Sequence, residues 1–233
     1  MLIDLHAHTS AISKCCRIPA AQVLEEAREK GLDGIVLTNH YQKSYIDGGD
    51  ALGFVRKYME EIRYTQDLAR EMGMRVFWGI EVTMTQYPTV HMLIYGVDET
   101  FLEKYPAVFD MTQEELWRAV KAEGGVLIHA HPYRGKSRPM DPRWLDGVEI
   151  NCHPLYENTY SEELLVFAQE NSLLVTCGGD YHADTYRPQC GVYLPDDISD
   201  SCALGKYLLE SGMTELLVQE INAPAAARIC VKR

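Results

Sequence analysis

Short apolar runs alternate with amphipathic segments along the whole chain. The runs Leu2–Leu5, Gly34–Thr38, Arg75–Val82, His91–Val97, Gly125–His129, Gly147–Asn151, Leu173–Cys177 and Gly191–Leu194 have the length and continuity of buried strands. Between them, apolar positions recur at helical spacing. The segment "PAAQVLEEAREKG" has Pro19 near its start, Gly31 as its stop, and Val23, Leu24 and Ala27 on one face. The segment "DALGFVRKYMEEIRYTQDLAREMG" predicts a long amphipathic helix ending at Gly73, and "TQEELWRAVKAEGG" opens on a capping box formed by Thr112 and Glu115. "SEELLVFAQENS" and "SDSCALGKYLLESG" repeat the scheme. Strands alternating with helices predict parallel pairing through right-handed crossovers. About seven strands with no break in composition favour a closed or nearly closed α/β barrel over an open sheet. The loop "YRGKSRPMDPRW" is too short to separate domains, so residues 1–233 are expected to form a single domain.

Composition adds limits. Hydrophobic content of 46% and charged content of 24% are those of an ordinary globular protein. No stretch approaches the roughly 20 apolar residues needed to span a bilayer, and the first residues lack the pattern of a signal peptide. A cytoplasmic protein without membrane contact is expected. The formal net charge of -12 argues against a polymeric nucleic-acid substrate, but carboxylates that hold divalent cations would leave a locally positive site able to attract a small anion. The seven cysteines form no CxxC pair and are expected to be reduced thiols, mostly acting as small apolar residues.

The eight histidines supply the chemistry. His6 and His8 close the first predicted strand, His40 the second, and Glu81 the third. His91 opens the fourth; His129 and His131 end the next, and Asp180 and His182 follow another. In a parallel barrel the strand C-termini gather at one mouth, where active sites form. Residues i and i+2 of a strand share a side, so His6 and His8 can grip one ion. Imidazoles mixed with carboxylates suit zinc, manganese or iron, and this set is large enough for two or three divalent ions with one carboxylate bridging two of them.

Taken together, "DLHAHTS", "LTNH", "GIE", "HMLIYG", "HAHPYR", "GVEIN" and "GGDYH" resemble the ordered motifs of the PHP superfamily, named for polymerase and histidinol phosphatase. The resemblance runs from Asp4 to His182 and is similar in layout to the small single-domain bacterial members. It implies a distorted (β/α)7 TIM-like barrel and hydrolysis of a small phosphorylated substrate by a metal-activated hydroxide. It further implies a first metal site of His6, His8, Glu81 and Asp180, a second of Glu81, His91 and His131, and a third that includes His40 and His182. The acidic or histidine ligand that often follows the HxH motif is missing between Thr9 and Cys15, so Cys15 or water would complete the third site. Asn39 and Gly179 stand where the family pattern has Asp and Ser.

Arg134 is the candidate phosphate clamp, and His182 or His40 the candidate general acid to the leaving group. Lys14, Arg17, Lys136, Arg138 and Arg187 are expected to be solvated loop charges. His129 is expected to support the ligands, and His153 to line the pocket. Glu149 and Asn151 are expected either to support ligands or to touch substrate, and Tyr41, Tyr133 and Tyr181 to shape the pocket or pack. Two alternatives stay open: an amidohydrolase-type enzyme acting on a non-phosphate substrate, and a non-catalytic metal-binding domain.

Overall fold

The computed structural model describes residues 1–156, 161–183 and 186–233. Strand and helix alternate in the order β1 (Leu2–Ala7), α1 (Ala20–Glu29), β2 (Gly34–Leu37), β3 (His40–Tyr41), α2 (Ala51–Glu71), β4 (Arg75–Thr83), β5 (His91–Tyr95), α3 (Phe101–Lys104), α4 (Gln113–Ala122), β6 (Val126–Ala130), β7 (Gly147–Asn151), α5 (Ser161–Glu170), β8 (Leu174–Gly178), β9 (Gly191–Tyr193), α6 (Ser201–Glu210), β10 (Met213–Val218) and β11 (Ala227–Lys232).

These strands form one sheet in the order β11-β10-β9-β1-β2-β4-β5-β6-β7-β8, with β3 paired to β4 beside β2. The sheet curls until its β8 end meets β1. There the Asp180 N–H donates to His6 O at 2.8 Å, and Ala7 bridges Tyr181 in parallel. The result is a nearly closed barrel ringed by helices, a distorted TIM-like barrel. Strands β1, β2, β6, β7 and β8 are buried along their whole length, the condition of strands covered on both faces.

The pairing is less uniform than the strand–helix alternation predicts. The pairs β1–β2, β2–β4, β3–β4, β6–β7 and β7–β8 are parallel, but β5 runs antiparallel to both β4 and β6. The connection from β4 to β5 is too short to hold a crossover helix, so β5 must return in the opposite direction. This reversal puts the first residue of β5, His91, at the mouth where the other strands end. Strands β9, β10 and β11 form an antiparallel extension against β1.

The helices follow their sequence signals. Thr112 and Glu115 make the reciprocal capping box on α4, and the Asp50 side chain accepts the Gly53 N–H to cap α2. Helix α2 buries Val55, Tyr58, Met59, Ile62, Thr65 and Ala69. Tyr58 Oη lies 2.8 Å from Asn39 O and 2.9 Å from Gly79 O, tying α2 to the strand ends next to His40 and Glu81. No helix among the described residues is long and apolar enough to cross a membrane.

Candidate metal centre

The strand ends bring the predicted residues together. His6 (β1), His8 just beyond it, His40 (β3), Glu81 (β4), His91 (β5), His131 after β6, and Asp180 and His182 after β8 converge at one mouth. The ligand atoms of His6, His8, Glu81 and Asp180 all lie within 4.8 Å of one another. Glu81 is the hub. Its Oε1 lies 3.4 Å from His6 Nε2, 2.8 Å from His91 Nδ1 and 3.2 Å from His131 Nε2, and its Oε2 lies 3.4 Å from His8 Nε2 and 2.7 Å from His40 Nδ1. Asp180 Oδ1 lies 3.1 Å from His8 Nε2 and 3.4 Å from His6 Nε2.

Two further groups are as tight: His40 with Glu81 and His91, and His8 with His40 and His182. The structure thus differs from the predicted grouping in two respects. His40, expected only beside His182, also sits against Glu81 and His91, because β3 pairs directly with β4 and places His40 opposite Glu81. His131 touches Glu81 but stands outside these tight groups.

A second layer of polar residues fixes the imidazoles. His6 Nδ1 is 2.8 Å from Glu149 Oε1, while Glu149 Oε2 accepts from His131 N–H at 3.2 Å and from Asn151 Nδ2 at 3.1 Å. One buried carboxylate therefore orients candidate ligands from two strands. His8 Nδ1 is 3.0 Å from Ser13 Oγ, and that hydroxyl donates to Asn39 Oδ1 at 2.9 Å. Asn39 Nδ2 donates to Thr9 Oγ1 at 3.0 Å, a bond an aspartate could not make. Asp4, on the same side of β1 as His6, accepts from His6 N–H, Gly179 N–H and the Arg187 guanidinium, and so locks the closing seam of the barrel.

The electrostatics follow from burial and crowding. Burial opposes ionisation of Glu81 and Asp180, but His40 and His6 beside Glu81, and His6 and Arg134 beside Asp180, hold both carboxyls well below the usual range. Burial lowers His8 and His131 well below an ordinary imidazole, with His182 adding to the effect at His8 and Arg134 at His131. Burial also opposes charge on His40, yet the Glu81 carboxylate outweighs it and raises His40 to about 10. Among the described residues, His6 Nε2, His40 Nδ1 and Glu81 Oε2 are buried without a well-aligned hydrogen bond, the last two facing each other only as an ion pair at 2.7 Å, and all three face this basket. Each would cost about 1–3 kcal/mol if left unsatisfied. A divalent cation satisfies them together, so the donor set fits a metal. Asp180 and His131 both adopt left-handed backbone, with φ of 46° and 36°, which costs a non-glycine residue on the order of 1 kcal/mol or more.

The outer residues divide. Arg134 lines the mouth and donates from Nη1 to Asp180 Oδ2 at 2.6 Å, with its guanidinium 4.7 Å from the Tyr156 ring centre. Lys14, Arg17, His153 and Thr89 line the same cavity of about 690 Å³. Lys136 and Arg138 are exposed, as expected. Arg187 is not solvated: it is 2% exposed, pairs with Asp4 and lies over the Tyr181 ring. Tyr41 does not shape the pocket but packs between Phe54, Tyr58 and Phe109, with its hydroxyl on Pro106 O. Tyr133 is half-buried in a smaller neighbouring cleft. His129 is fully buried outside the tight groups, and its Nδ1 accepts the Met140 N–H. Sequence reasoning missed Ser13 and Asp4 as supports. The i, i+2 parity of Asp4 with His6 was a signal for the latter.

No family model matches the chain. An uncharacterised protein of Methanocaldococcus jannaschii is 27% identical over an alignment of length 163 that covers 64% of this chain and 81% of that protein. Among solved structures, PsfC from Pseudomonas syringae superposes with a TM-score of 0.64 at 20% identity, over 94% of this chain and 91% of that one. A protein from Bifidobacterium adolescentis, whose own designation as a metal-dependent phosphoesterase is provisional, superposes with a TM-score of 0.56 at 18% identity, over 88% of this chain and 95% of that one. The chain is therefore similar in fold to both.

Proposed function

We propose that this chain is a single-domain, metal-dependent phosphoesterase of the PHP type that acts on a small phosphorylated substrate. The observation that carries the proposal is the convergence of His6, His8, Glu81 and Asp180 on one point, where buried His6 Nε2 and Glu81 Oε2 make no well-aligned hydrogen bond among the described residues. Those four residues would hold one cation, Glu81 with His91 and His131 a second, and His40 with His182 a third, with Cys15 at hand. Divalent cations held there supply activation of water and stabilisation of charge on phosphoryl oxygens.

The chain's own residues do the rest. Glu149 and Ser13 hold the Nδ1 atoms of His6 and His8, so their Nε2 atoms are presented as ligands. Arg134 reaches the cavity from Asp180 and would share its guanidinium with a phosphate. His182 Nδ1 is engaged at 2.7 Å with Asp180 O, so where the third site holds no cation its Nε2 is left to pass a proton to the departing oxygen. His40 is the other imidazole at the mouth able to do so.

The test is hydrolysis of an aryl phosphate by the full chain supplied with manganese, zinc or iron(II). Metal-dependent turnover abolished in Asp180→Ala, with a raised KM in Arg134→Ala, is expected. Stoichiometric metal uptake without turnover of phosphomonoesters or phosphodiesters would overturn the phosphoesterase reading, and profiling of amide and lactone substrates would then identify an amidohydrolase-type activity.

A further inference from the structure

A second set of ligating side chains lies away from the histidines. Cys177 at the end of β8, Cys152 just past β7 and Cys190 just before β9 come from three separate segments, and their sulfurs lie within 4.8 Å of one another. Cys152 and Cys177 are the nearest at 3.7 Å. All three are buried, whereas Cys15, Cys202 and Cys230 are exposed. From the cluster, Cys177 Sγ reaches Leu217 O of β10 at 3.3 Å. Cys190 borders Asp4: a Cβ built on Gly179 would lie 2.9 Å from Asp4 Oδ2 and 3.4 Å from Cys190 Sγ.

The Cys152–Cys177 pair is badly placed for a disulfide. In the parallel register of β7 and β8, Ile150 lies opposite Cys177 and Asn151 opposite Gly178, so Cys152 stands two residues further along. Strand spacing and rise per residue then put the two Cα atoms roughly 8 Å apart, beyond the ~7 Å limit for bridging without backbone movement. The sulfur contact is instead close to the ligand–ligand distance on a shared cation: metal–sulfur bonds of about 2.3 Å at tetrahedral to trigonal angles separate sulfurs by roughly 3.8–4.0 Å.

We infer that Cys152, Cys177 and Cys190 form a structural site for one soft, thiophilic divalent cation, distinct from the histidine–carboxylate centre, that pins the β9–β10 extension to the barrel. Thiolate donors without imidazole or carboxylate select soft ions over those suited to the mouth. Binding converts three thiols to thiolates and releases three protons, leaving one net negative charge beside the buried Arg187–Asp4 pair. Burial pushes Cys177 up, and hydrogen bonding to Cys152 pushes Cys190 up, so uptake strengthens as pH rises.

The test uses cadmium, a visible stand-in for zinc, equilibrated with the reduced full chain at pH 8 and followed by ultraviolet absorption and 113Cd resonance. Expected is one equivalent of cadmium bound by three sulfurs per chain, seen as a thiolate charge-transfer band and a resonance far downfield of those from nitrogen and oxygen ligands, with or without the single thiolate of Cys15. Both signals should be lost in Cys177→Ser and in Cys190→Ala and kept in Cys15→Ser. Absence of the sulfur-type resonance in the native chain would overturn the inference. So would its survival in either cage variant or its loss in Cys15→Ser. The Cys15 variant leaves the cage untouched and keeps the test decisive if cage variants do not fold.

Discussion

His6 Nδ1 lies 2.8 Å from Glu149 Oε1, with both side chains fully buried. This contact fixes the His6 ring and leaves Nε2 pointing at Glu81 and Asp180. Because the second oxygen of Glu149 takes the His131 N–H, loss of the carboxylate loosens two strand ends at once. Glu149→Gln is expected to weaken metal affinity by roughly 10–100-fold, measured by competition with a coloured chelator. Wild-type affinity in the variant would show that His6 is held by something else.

Gly178 is where β8 meets β1, and there is no room for a side chain. A Cβ there would lie 2.4 Å from His6 Cβ and 2.8 Å from both His6 N and Glu149 Oε1. Backbone and a buried ligand cannot both give way, so Gly178→Ala is expected to cost about 1–3 kcal/mol. That corresponds to a fall of a few to about 10 °C in Tm for a chain of this size. Metal affinity should fall with it, because the displaced group is a candidate ligand. An unchanged Tm would mean that the seam is looser than these distances imply.

Much of this was legible because strand periodicity and ligand chemistry coincide. His6 and His8 declare themselves by the i, i+2 rule, and Glu81, Asp180 and His182 by falling at strand ends. Thr112 and Glu115 mark the start of α4 because a capping box is local chemistry. Long-range relations were hidden. His91 reaches the mouth only because β5 is reversed, and β10 and β11 are stabilised by the pairing of β10 with β9 and of β11 with β10, which no local pattern announces. Arg187 looks like a loop charge in sequence. Its burial depends on Asp4, 183 residues away. Tyr41 adjoins His40, yet successive residues of a strand face opposite sides, so its neighbour's role could not be its own.

Cys15 offers a chemical probe of the mouth. Partial burial disfavours its thiolate, but hydrogen bonds from His182 and His40 outweigh that and lower its pKa from 9.0 to about 6. In chelator-treated protein, iodoacetamide should alkylate Cys15 with a midpoint near pH 6. Cys202, which burial pushes upward, should react only in alkaline solution. Added manganese or zinc should slow the Cys15 reaction if the thiol joins His40 and His182 around a cation. Peptide mapping by mass spectrometry separates the two cysteines, and equal pH midpoints would remove Cys15 from the site.

His129 makes the fold sensitive to acid. It is fully buried, and burial, reinforced by His91, lowers its pKa to about 3 against 6.5 for an ordinary imidazole. Below pH 6.5 the unfolded chain binds a proton here that the native chain does not, so native stability declines as pH falls, by about 1.4 kcal/mol per unit until the folded pKa is reached. Above pH 6.5 the contribution is complete and flat. Other buried imidazoles add their own slopes, so the measurement compares the wild type with His129→Gln, which keeps an acceptor for the Met140 N–H. In urea unfolding with chelator present, the variant should gain on the wild type by about 2 kcal/mol between pH 6.5 and pH 5. A difference that stays constant across that window would mean that the imidazole takes up its proton in the folded state, with water or a carboxylate reaching Nε2.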